Sequence, residues 1–219
     1  MQPYFMPYAG YFRLFAAADV FVVYDCVQFP RRGWVHRNRL LDAHGELQWL
    51  TLPLAAADVD TAIADLAFRP SAKQDLDAQT RRFPVLSSAG FQASPLCDVL
   101  RDLSGTPVDY LERTMRFTCD ALGIAFNSVR SSSLALSSTL RGQDRIIAIV
   151  KALGGSSYLN SPGGTALYSS TDFETQGIEL RFLPSWQGDF ASVLQRLPVE
   201  PPAQIARDIR SQCAGDTAA

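Results

Sequence analysis

The sequence predicts an α/β protein: a Rossmann-like, mostly parallel sheet wound with helices, carrying an inserted β-hairpin and helical region. Three observations carry that prediction. Apolar runs at 124–130, 156–161 and 178–184 alternate with helical patterns and short joints, as in a parallel sheet with crossover helices. The run DVFVVYD (19–25) is β-branched and aromatic until its final Asp25, the signature of a strand covered on both faces. Residues 31–104 break the alternation, and no repeat or low-complexity linker divides the chain. A single domain spanning 1–219 is therefore expected, with 31–104 as the insertion and 200–219 as a C-terminal helix and tail.

The elements follow in order. In MQPYFMPY, Gln2, Pro3 and Pro7 exclude a regular helix or a central strand, yet the aromatics suit packing, so the stretch reads as the loop after a buried strand. Tyr11, Leu14, Phe15 and Ala18 recur at helical spacing, giving a short buried helix over 10–18. Residues 34–41 and 46–54 flank DAHG as an antiparallel hairpin, and the alternation of 61–68 predicts another strand. Pro84, Gly90 and Pro95 break a helical pattern over 71–104 into two short helices. A helix over 106–123 has Thr106 as N-cap, Pro107 in the first turn and Gly123 past its end. Further helices are expected at 138–155, with a Ser cap, at 170–177 and at 200–213.

Composition narrows the function. A formal charge of −2 argues against bulk nucleic-acid binding, although Arg31, Arg32, Arg37 and Arg39 fall within nine residues. No stretch reaches the roughly 18 apolar residues of a membrane span, and no secretory leader pattern is visible. Four cysteines without a CxxC pair fit reduced thiols in the cytoplasm. The two histidines, His36 and His44, are not spaced as metal ligands, so no metal site is expected.

In an open parallel sheet, ligands bind beyond the carboxyl ends of the strands. There the sequence places Asp25 and Cys26, then Arg31 and Arg32, the serine run Ser131, Ser132 and Ser133, and the loop SPGG with Ser161, Gly163 and Gly164. Backbone N–H groups and arginine forks favour anions, so the edge suits a phosphorylated or nucleotide ligand. Each feature also has a plain structural use: SPGG as a turn, the serines as caps, the arginines as a solvated face, Cys26 as a small buried residue, His36 as surface decoration.

The stretch QPYFMPYAGYFRLFAAADVFVVYDCVQF, followed by RRGWVHRNRL and WLTLPL, resembles the WbqC-like family of bacterial proteins from polysaccharide and O-antigen loci. The resemblance continues through LGI (122–124), SSSL (131–134), KALGGSSYLNSPGGTALY (151–168) and GIEL (177–180). It implies a transferase, glycine-transferase-like, that forms an amide on a nucleotide-linked amino sugar using an acyl or aminoacyl donor. Under that reading Arg31, Arg32 and the three serines hold phosphates, and Asp25 orients or deprotonates the sugar amine. Gln2, Asn38 and SPGG position the sugar, with Gly163 and Gly164 N–H groups facing the developing oxyanion. It also implies a short apolar strand before Gln2, with Met1 as its last residue and about six residues ahead of it. Where the family carries two adjacent acids, this chain has Asp25–Cys26.

A weaker similarity links the strand–loop–helix opening and SSTLR (137–141) to nucleotidylyltransferases and pantothenate synthetases, without their His-x-Gly-His motif. It implies an alternative: an ATP-dependent ligase or nucleotidyltransferase using Mg2+. A third reading is a non-catalytic nucleotide-sugar-binding or scaffolding protein.

Overall fold

The described strands are short, three to five residues each, and most mix apolar with polar positions. A computed structural model describes residues 1–213. The chain runs through a 3-10 turn Ala9–Phe12, helix α1 (Arg13–Ala17), β1 (Phe21–Val23), β2 (Arg37–Leu41) and β3 (Leu47–Thr51). Four helices follow: α2 (Ala72–Thr80), α3 (Pro84–Ser87), α4 (Ala89–Gln92) and α5 (Pro95–Arg101). Then come α6 (Pro107–Ala121), β4 (Ser128–Arg130), a 3-10 turn Ser131–Ser133, α7 (Gly142–Ala152) and β5 (Ser157–Asn160). A 3-10 turn Pro162–Leu167, α8 (Ser170–Glu174), β6 (Glu179–Phe182) and α9 (Pro202–Arg210) complete the order.

Mixed α/β character and parallel pairing match the sequence; one continuous Rossmann-like sheet does not. The described strands form three separate pairs: β1 with β4 and β5 with β6, both parallel, and β2 with β3 antiparallel. The hairpin falls where DAHG predicts it, with Gly45 at φ +76°, a conformation glycine adopts without steric cost. The strand expected over 61–68 is instead a 3-10 turn, Ile63–Asp65, flanked by isolated bridges Gln28–Ala62 and Leu54–Phe68. The insertion holds four short helices, not two, because Ser88 and Ser94 each cap a new start. α7 starts at Gly142 after Arg141, without the expected serine cap, and the segment 214–219 of the expected tail lies outside the described residues.

α6 is the core's axle. Thr106 and Asp109 form a reciprocal capping box, and Gly123 ends the helix at φ +60°. Val108, Tyr110, Leu111, Met115 and Cys119 are all buried on its inner face, one apolar stripe of a 3.6-residue period. The Tyr110 hydroxyl is satisfied by the Leu100 carbonyl at 2.9 Å, so the ring packs fully at no polar penalty. Phe5 and Phe68 pack against that ring at 6.1 and 5.8 Å. A smaller core under α7 and α8 joins Ile146, Val150, Phe173 and Ile178.

Met1 sits as the last residue of a strand would. Its amine donates to the Val22 carbonyl at 2.9 Å, and its carbonyl accepts from Tyr24 N–H at 2.9 Å, a one-residue parallel bridge. Beyond it a cavity of about 340 Å³ separates β1 from β5, lined by Val20, Val22, Ile146, Val150, Tyr158 and Arg181. The Nε of Arg181 is buried there without a partner among the described residues. The gap explains why the two parallel pairs do not join. Burial lowers the Met1 amine from 8.0 to about 5. Protonation therefore favours the unfolded chain, and stability present above pH 8 is lost as pH falls toward 5. A chain extended by six apolar, β-branched residues ahead of Met1 is expected to melt higher, by about 2–4 °C per kcal/mol gained. It should also lose the decline in melting temperature between pH 8 and 6.5; an unchanged melting curve would reject the slot.

Candidate functional site

The carboxyl ends of β1 and β4 meet around one carboxylate. Asp25 is 1% exposed and follows β1; the Ser131–Ser133 turn follows β4, its partner in register. One Asp25 oxygen accepts from Ser131 Oγ and Ser132 N–H, both at 2.9 Å, and the other from Ser132 Oγ at 2.6 Å. In return Ser131 Oγ accepts from the Asp25 and Cys26 N–H groups at 3.1 and 3.3 Å. The serine turn is an anion site, as the sequence suggests, but the anion in it is the protein's own Asp25. Ser133 Oγ is engaged by the Arg130 carbonyl. Ser131 and Ser132 therefore face a carboxylate in place of a phosphate, and Asp25 is a buried clasp between strand ends in place of a base open to an amine.

Beside the clasp, Arg145 is buried with no carboxylate within ion-pair distance among the described residues. Its guanidinium donates to the Leu140 and Ser137 carbonyls and to Cys26 Sγ at 3.0 Å. Burial and the Cys26 thiol push the nearby Tyr24 hydroxyl up to about 12, against the opposing pull of Arg145.

The SPGG loop winds into a 3-10 turn after β5. Gly164 is buried, its N–H donates to the Ser161 carbonyl at 3.0 Å, and a Cβ there would collide with Asn160 Nδ2. Gly164 is thus a packing glycine whose donor is engaged, which removes it as an oxyanion donor. Gly163 is exposed with open space around it. Ser161 lines a recess of about 50 Å³ with Met1, Tyr4, Tyr8 and Arg13, so the loop after β5 and the N-terminal aromatics do share one edge. Gln2 lies beside them, its carbonyl accepting from the Tyr11 hydroxyl at 2.7 Å.

Asn38 differs from its expected sugar-binding role. It is 3% exposed; Nδ2 donates to the Phe5 and Met6 carbonyls at 3.0 and 2.8 Å, and Oδ1 accepts from Arg39 N–H at 2.8 Å. Every polar group of its amide is committed to backbone. It holds Met6, whose φ of +40° is a strained setting for a non-glycine residue. Arg31 and Arg32 are exposed at the start of the insertion; Arg31 donates to the Ala57 carbonyl at 2.6 Å. His36 is not surface decoration: it packs edge-on to Phe29 at 4.9 Å, and burial, with Arg37 adding, lowers it to about 4.

The sequence reading missed the cleft next to this edge. Tyr4, Pro7, Tyr8, Trp34, Arg39 and Phe190 wall a cavity of about 210 Å³. Tyr4 and Tyr8 also wall the Ser161 recess, so the two hollows adjoin. The aromatic density of residues 4–12 was the available signal, and core packing accounts for it equally well.

A mixed α/β protein with short parallel sheets, an inserted hairpin and an aromatic cleft at the strand ends is thus defined. The chain belongs to the WbqC-like protein family, whose model matches residues 2–190. It is similar to the uncharacterized protein Rv1507c of Mycobacterium tuberculosis, 43% identical over 54 residues. That match spans 25% of this chain and 23% of the relative, about a quarter of the relative's length. No solved structure matches the chain. Among the described residues no helix is long and apolar enough to cross a membrane.

Asp25→Asn should lower unfolding free energy by about 1–3 kcal/mol, because one buried acceptor is lost and an amide is turned on the serine turn. Urea unfolding measures it. A variant with full stability and a reaction slowed tenfold or more would restore Asp25 as a base.

Proposed function

We propose that the chain is a transferase forming an amide on a nucleotide-linked amino sugar, in the cytoplasmic stage of surface-polysaccharide assembly. The observation that supports this best is the concentration of unpaired cations on the hairpin side of the site. Arg31, Arg32 and Arg37 have no carboxylate within 4.0 Å among the described residues. Such a group suits a diphosphate, which arginine forks meet in bidentate fashion. Family membership supports the amide chemistry.

In the reaction, the neutral sugar amine attacks the acyl carbonyl carbon. A C–N bond forms, the bond from that carbon to the donor's leaving group breaks, and the amine proton departs with the leaving group or to water. Arg31 and Arg32 hold the phosphates, Gln2 and Ser161 contact the sugar, and Gly163 N–H faces the developing oxyanion. Asp25 contributes by fixing the end of β1, the strand that leads into the Arg31–Arg32 segment, to the turn after β4.

The ATP-and-magnesium alternative fits less well. Its one expected ligand, Asp25, is enclosed by Ser131 and Ser132, and no three His, Cys, Asp or Glu side chains converge as a metal-binding group among the described residues.

Calorimetric titration with a nucleoside-diphosphate-linked 4-amino sugar is expected to show saturable binding, weakened at least tenfold in Arg31→Ala/Arg32→Ala and by added salt. Both side chains are exposed, so the fold survives their removal. Equal binding by the double variant would reject their role, and mass spectrometry of the sugar after incubation with thioester donors tests the transfer itself.

A further inference from the structure

The aromatic cleft holds an anomaly that the proposed reaction does not use. Arg39, on β2, donates no side-chain hydrogen bond and forms no ion pair with any described residue, and its Nε is buried without a partner. What it has instead are rings: its guanidinium lies 5.4 Å from Trp34 and 5.6 Å from Trp49. Cation–π contact holds such a group in place but leaves the buried Nε–H of this half-buried side chain unsatisfied. A buried donor left unpaired costs about 1–3 kcal/mol, and more for a charged group. No acidic residue lines the cleft, so nothing in its wall neutralises the cation.

The remaining walls specify the rest of the ligand. Tyr4, Tyr8, Trp34 and Phe190 come from three separated segments and leave about 210 Å³ between them. An apolar cavity of about 150 Å³ admits benzene, and drug-sized ligands need roughly 300 Å³ or more. The cleft therefore takes one substituted ring. A pyranose would bring several hydroxyls, yet Asn38 is already engaged by backbone, leaving the tyrosine hydroxyls and Arg39 as partners. Unpaired hydroxyls are costly to bury; a flat ring presents faces that stack on aromatics instead. Phe190 is 54% exposed at the mouth and lies 5.0 Å from Tyr8, an aromatic left half in water beside a hollow its own size.

The floor is rigid. The Met6 carbonyl accepts from Asn38 Nδ2 at 2.8 Å and Ser192 Oγ at 2.6 Å, and Pro7 O accepts from Val193 N–H at 2.9 Å. These bonds maintain the positive φ of Met6 between Tyr4 and Tyr8. Strain of this kind costs about 1–3 kcal/mol and persists where surroundings over-determine it.

We propose that the cleft is a binding site for a planar, single-ring organic anion, its ring against Tyr8, Trp34 and Phe190 and its carboxylate or phosphate on Arg39. That chemistry has two sources: a free aryl carboxylate, or the base and phosphate of a pyrimidine nucleotide whose ribose hydroxyls stay in the water at the open mouth. The site is separate from the Arg31–Arg32 phosphate role and stands whether or not the amide reaction does.

Tryptophan fluorescence of the full chain, read during titration with 4-hydroxybenzoate, its methyl ester, uridine 5′-monophosphate and uridine, tests it. At least one anion should saturate with a Kd below about 1 mM, with its neutral counterpart tenfold weaker or more. Arg39→Gln should erase that anion preference, Arg39→Lys should retain part of it, and Phe190→Ala should weaken every ligand. Phe190 is exposed enough that its variant folds even if Arg39→Gln does not. The tighter anion identifies the source. Arg31→Ala/Arg32→Ala should leave 4-hydroxybenzoate binding unchanged, which separates this site from the proposed function. No saturation by either anion up to about 10 mM, or equal binding of acid and ester by the parent chain, overturns the proposal.

Discussion

One backbone carbonyl, that of Met6, ties together three segments that are far apart in sequence. Asn38 from the hairpin and Ser192 from the C-terminal third both donate to it, and both are buried. Phe5 N–H reaches back to the Trp34 carbonyl at 3.0 Å. Without these bonds the left-handed backbone at Met6 would relax, because a non-glycine residue reaches that region only when forced. The loop's aromatics would then lose the orientation that makes Tyr4 and Tyr8 into walls. Core and cleft depend on the same constraint: Phe5 turns inward to Tyr110, and its neighbours turn outward to Arg39.

Charge follows a similar economy. The serine turn after β4 offers hydroxyl and N–H donors at a strand end, the usual design for holding an anion. Asp25 fills it from the neighbouring strand and welds two short parallel strands whose ladder is only three residues long. The inserted hairpin region carries Arg31, Arg32, Arg37 and Arg39, none with a carboxylate partner among the described residues. Some arginines elsewhere are matched: Arg130 meets Asp109 and Glu112, and Arg196 meets Glu200 and Asp208. Exposed pairs of this type contribute little stability.

Much of the fold is legible in the sequence because local rules decide it. Thr106, Pro107 and Gly123 mark α6 at both ends, and the capping box and glycine conformation follow from those residue types. DAHG determines the hairpin turn. Where tertiary context decides, local reading falls short: 61–68 alternates like a strand but has no extended neighbour, so it makes two isolated bridges and a turn. The continuous sheet fails for a comparable reason, since the space between β1 and β5 is a cavity bordered by Met1.

The sequence by itself determined the family, the mixed α/β character, the parallel pairing and the gathering of polar loops at strand ends. These depend on residue type and spacing within a few turns of chain. Only the tertiary structure decided what each polar group does. Asp25, Ser131 and Ser132 satisfy one another by hydrogen bonds, Asn38 supports a strained carbonyl, Gly164 packs on Asn160, and Arg39 is left with rings and no acidic partner. Hydrogen-bond partners more than a hundred residues apart, as with Asp25 and Ser131, leave no local pattern. Whether a donor faces a ligand or the protein's own backbone is settled only when distant segments meet.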